Sequence, residues 1–77
     1  MSRRRGAYVP ASGATRARFA AWIESVGGSV AAARRLGVSR SYVDMMKNGQ
    51  RSPGLRTAER IERETGGAIP MQAWVGV

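Results

Sequence analysis

Residues 29–48 read SVAAARRLGVSRSYVDMMKN, and this stretch decides the fold. Val30, Ala33 and Leu36 recur every three residues, which predicts a short helix from Ser29 to Leu36. The alanines at 31–33 make it narrow, so a second helix can cross it closely. Gly37 supplies the left-handed conformation that ends a helix. Ser39 is a good N-cap for the next helix, which runs through Lys47 and stops near Asn48-Gly49. Val43 and Met46 lie three apart and face inward. With Val38 and Leu36 they clamp the second helix onto the first. Arg40, Ser41, Asp44 and Met45 fall on another face.

Two short helices joined by a tight glycine turn, with small residues at the crossing, make a helix-turn-helix. The flanks support it. Upstream, Phe19, Trp22, Ile23 and Val26 form one apolar stripe, predicting a helix from about Thr15 to Val26, with Ser12 or Thr15 as cap and Gly27-Gly28 as stop. The Phe19/Trp22 pair reads as core. Downstream, Ser52-Pro53 is expected to open a fourth helix, with Ser as cap and Pro at the first helical position. Leu55, Ala58, Ile61 and Thr65 mark its buried side, and Gly66-Gly67 its end. The expectation is an all-α bundle of four to five helices in residues 12–77, preceded by a flexible basic arm, residues 1–11.

Composition narrows the function. The 77 residues carry 13 basic and 5 acidic side chains, a net charge of +8. Such a field implies a polyanionic partner: nucleic acid, an anionic membrane or an acidic protein. There is no cysteine or histidine, hence no disulfide and no ordinary zinc site. No carboxylate pair is placed for acid–base work, and no Gly-rich phosphate loop is present, so an enzyme is not expected. No apolar run approaches the roughly 20 residues of a membrane span. A cytoplasmic protein without cofactor or metal is expected.

The segment GGSVAAARRLGVSRSYVDMMKNGQRSP, residues 27–53, resembles the lambda-repressor-like group, the Cro and phage-repressor helix-turn-helix domains. The ending IERETGGAIPMQAW, residues 61–74, is similar to the Cro/YdaS-type regulators of phages and prophages. The resemblance covers about residues 15–75. It departs at Ala32, where relatives carry a larger apolar residue, and at Met45-Met46, where many carry a polar residue and an aromatic.

The resemblance implies a transcriptional regulator whose second helix of the pair lies in the major groove. Ser39, Arg40, Ser41, Asp44 and Met45 then become candidate base readers. Arg40 can fork onto guanine O6 and N7. Asp44 has two readings, accepting from cytosine N4 or holding Arg40 by an i,i+4 ion pair. Met45 either touches a thymine methyl or is partly core. Ser29, Tyr42, Lys47, Asn48 and Arg51 are candidate phosphate contacts, Ser29 through its backbone N–H at a helix start. Arg34 and Arg35 are expected on the outer side of their helix.

The ends of the chain leave alternatives open. Arg3, Arg4 and Arg5 are either a solvated tail or an arm for phosphates or a minor groove. The C-terminal stretch is too apolar for a solvated tail, so it folds back on the core or forms a partner surface. Ile69, Met71, Trp74 and Val75 are the candidate dimer surface. The expected partner is double-stranded DNA, bound by a homodimer at an inverted repeat. The alternatives are an antitoxin-like or adaptor protein whose apolar C-terminal segment binds a partner, and a non-specific nucleic-acid binder driven by charge.

Overall fold

A computed structural model describes residues 12–74. The basic arm, including Arg3, Arg4 and Arg5, and Val75 lie outside the described residues. Within them the chain is all-α: α1 (Gly13–Val26), α2 (Ser29–Leu36), α3 (Arg40–Lys47), α4 (Leu55–Glu64) and a closing 3₁₀ turn, Met71–Trp74.

Each helix end has a local cause. Ser12 caps α1, its hydroxyl oxygen accepting from the Thr15 N–H at 3.2 Å. The last turn of α1 closes with the Gly28 N–H on the Ile23 carbonyl at 2.8 Å. Gly37 ends α2 at φ 70°, where the Val38 N–H reaches the Ala33 carbonyl at 3.0 Å. That pairing satisfies an otherwise orphaned carbonyl and turns the chain sharply enough for α3 to cross α2. Ser39 caps α3 by accepting from the Tyr42 N–H at 3.1 Å.

The fourth helix starts later than its sequence suggests. Ser52 does not cap it, and Pro53 is not its first helical residue, which is Leu55. The cap is Gly54, in extended conformation and without a side-chain bond. The first bond of α4 runs from the Ala58 N–H to the Gly54 carbonyl at 2.9 Å. The Gly54 N–H is drawn back to the Tyr42 hydroxyl at 3.2 Å, which holds residues 51–54 as a loop against α3. The late start leaves Leu55 at the first helical position, 76% exposed rather than buried. Val30 is likewise 53% exposed, because α2 turns Ala32, Ala33 and Leu36 inward instead.

The core joins all the elements. Phe19 and Ile23 of α1 meet Leu36, Val43, Met46 and Ile61 in one buried cluster. Ala32 and Ala33 are buried where α2 packs against its neighbours, and their small size is what lets the backbones approach. The C-terminal stretch, as far as Trp74, folds back on this cluster. Ile69 and Trp74 are 1% and 4% exposed, and Trp74 meets Phe19 edge to face at 5.3 Å between centroids. Thr15 fastens the same contact, its hydroxyl donating to the Ala73 carbonyl at 3.2 Å. Thr65, placed on the buried side of α4 by its spacing, is half-buried as the C-cap and accepts from the Ile69 N–H at 3.2 Å. Two members of the expected dimer surface, Ile69 and Trp74, are therefore spent on the chain's own core. Met71 remains partly exposed.

Candidate nucleic-acid interface

The outer face of α3 follows from what its inner face must do. Val43 and Met46 are fully buried, which orients the helix about its axis. Ser39, Arg40 and Ser41 are then left exposed at its start, with Asp44 and Met45 half-buried along the flank. Met45 is thus in part a packing residue, with some surface still open. The Ser39 hydroxyl spends an acceptor site on the cap and retains its proton for donation.

Two groups of candidate residues are brought together. The first centres on Asp44. Its Oδ2 pairs with Arg40 Nε at 3.7 Å, and its Oδ1 accepts from the Ser29 hydroxyl at 2.9 Å. The i,i+4 spacing made the Arg40 pair legible in the sequence. The Ser29 contact was missed, because it depends on the crossing angle of two helices and leaves no periodic trace. Ser29 also opens α2, whose N-cap, Gly28, offers no side-chain bond. The first N–H groups of α2 therefore stay available to an anion.

The second group sits at the other flank. The Arg51 guanidinium lies 5.8 Å from the centroid of the Tyr42 ring, within cation–π range. The Tyr42 hydroxyl accepts from Gly54 and keeps its own proton to donate. Tyr42 thereby holds Arg51 and the loop beside α3. Lys47, in the last turn, is half-buried, and Asn48, the C-cap, is exposed. From Arg40 to Lys47 is roughly 10 Å along the axis, so Lys47 and Asn48 lie at the far end of α3 from the exposed readers at its start.

The charges divide the same way. Between Ser29 and Pro53 the chain has Arg34, Arg35, Arg40, Lys47 and Arg51 against Asp44 alone. The glutamates lie on α1 and α4. Arg35, largely exposed, reaches from α2 to Glu64 of α4 at 3.5 Å. Among the described residues, no cluster of acidic groups could hold a metal, and no helix is long and apolar enough to cross a membrane.

A family model described as helix-turn-helix, of the Cro/C1 type, matches residues 21–70, from within α1 to the start of the closing turn. The chain belongs to this family. Neither the curated proteins nor the solved structures give a significant match. The family is a DNA-binding regulatory one and not a family of enzymes. This member of it is a DNA-binding transcriptional regulator with double-stranded DNA as its partner.

Proposed function

We propose that the protein is a sequence-specific repressor of phage or prophage type that reads the major groove with α3 and binds an inverted repeat as a homodimer. The observation that carries this reading is the division of α3 into a buried face, Val43 and Met46, and an exposed one, Arg40 and Ser41, with the basic groups Lys47 and Arg51 on or beside the same helix. Ser39, Arg40, Ser41 and Met45 face base edges. Ser29, Tyr42, Lys47, Asn48 and Arg51 fix the register on phosphates. One eight-residue helix reads few base pairs. Two copies about 34 Å apart, one helical turn of DNA, supply the rest.

A groove of about 400 Å³ lined by Pro53, Leu55, Ala58, Met71, Gln72 and Trp74 favours a second reading, in which this face binds a partner protein. In the first reading the same face is open to the second copy.

Arg40→Ala and Lys47→Ala test the first reading against a panel of duplexes differing by single base pairs. Arg40→Ala removes a preference of about tenfold or more at one position per half-site. Lys47→Ala weakens binding to every duplex alike and lowers the log–log salt slope by about 0.9 per site. Uniform losses in both variants would contradict α3 as the reader.

A further inference from the structure

The Asp44 carboxylate sits where a base reader is expected, yet both its oxygens are engaged within the protein. Oδ1 takes the Ser29 hydroxyl at 2.9 Å, and Oδ2 faces Arg40 Nε at 3.7 Å. The Arg40 side chain is 69% exposed and Asp44 only 38%. The carboxylate is thus set back from the surface while the guanidinium projects from it. The closest approach is through Nε, at the 3.7 Å of an ion pair, and the Nη1/Nη2 pair forms the other fork of the guanidinium. That fork matches guanine O6 and N7. Arginine is otherwise a long side chain with much rotamer freedom to lose on binding, and an anchored one loses less.

We infer that Asp44 is a positioning residue: fastened by Ser29 at the start of α2, it holds Arg40 in the pose that reads a guanine and does not itself contact a base. The inference rests on α3 as the reading helix. It assigns the specificity of one base pair to three side chains on two helices, of which only Arg40 touches DNA through a base. It also explains why an acidic group stands in an otherwise basic surface. A carboxylate near phosphates weakens binding to all DNA alike. Here that cost is set against sharper discrimination at one position.

The test measures base-pair preference for the wild type, Asp44→Ala, Ser29→Ala, Arg40→Ala and the Asp44→Ala/Arg40→Ala double variant, with thermal unfolding confirming that each is folded. The expected result is that Asp44→Ala lowers discrimination roughly two- to tenfold, at the same base pair that Arg40→Ala relaxes and at no other. In the Arg40→Ala background, Asp44→Ala has no further effect on preference. Ser29→Ala, which loosens the carboxylate without deleting it, shifts the same base pair less. A change at a different base pair on Asp44→Ala would make Asp44 a reader in its own right and overturn the inference. So would an unchanged preference on Asp44→Ala while Arg40→Ala relaxes one. If neither variant alters any preference, the inference falls together with α3 as the reading helix.

Discussion

At Gly37 and Gly49 the backbone is left-handed, with φ of 70° and 79°, but the two sites differ in what surrounds them. A Cβ on Gly37 would meet open space, so Gly37→Ala pays only for the conformation, about 1–2 kcal/mol. A Cβ on Gly49 would lie 3.2 Å from the Arg16 side chain, and Gly49→Ala should cost more than Gly37→Ala. Urea unfolding of the two variants checks the order. Equal costs would show that Arg16 yields freely. The site residues divide by how local their signals are. Gly37, Ser39 and the Arg40–Asp44 spacing are local, and each is found in the structure as the sequence suggests. The Ser29–Asp44 and Tyr42–Gly54 bonds join residues 15 and 12 apart, and only the packed structure brings them together.

Among the elements, α2 and α3 were legible to the residue, because a glycine stop and a serine cap leave little freedom between them. The start of α4 was not. Ser52-Pro53 is a strong helix-opening pair, but the Tyr42 hydroxyl holds the Gly54 N–H and keeps the preceding residues in a loop. A tertiary contact thus overrides a local signal. The apolar C-terminal stretch was legible as buried or sticky, but composition alone does not say which. Trp74 settles it for the closing turn by packing edge to face on Phe19. Trp74→Ala should cost about 3–5 kcal/mol, a large share of the stability of a 77-residue chain. Intact helicity and an unchanged denaturation midpoint in that variant would mean that the turn is not part of the core. Deleting residues 69–77 would remove Ile69 and Trp74 together, so loss of DNA binding on that deletion reports unfolding and not a lost interface.

For the whole molecule, a chain this short buries only about 60% of its unfolded surface, with no disulfide to help. The apolar core of the described residues draws on all four helices and the closing turn, so none of them is spare. The stability goes into holding one short helix with its outer face clear. The net charge of +8 supplies attraction to any duplex, and that attraction weakens steeply with salt. Charge alone, however, gives no sequence preference. Selection from a pool of random duplexes at physiological salt therefore tests the central claim most directly. The account predicts an enriched inverted repeat, with half-site centres about ten base pairs apart and a guanine at the position that Arg40 reads. Recovery of duplexes with no common motif would contradict it and leave the basic surface as a non-specific binder.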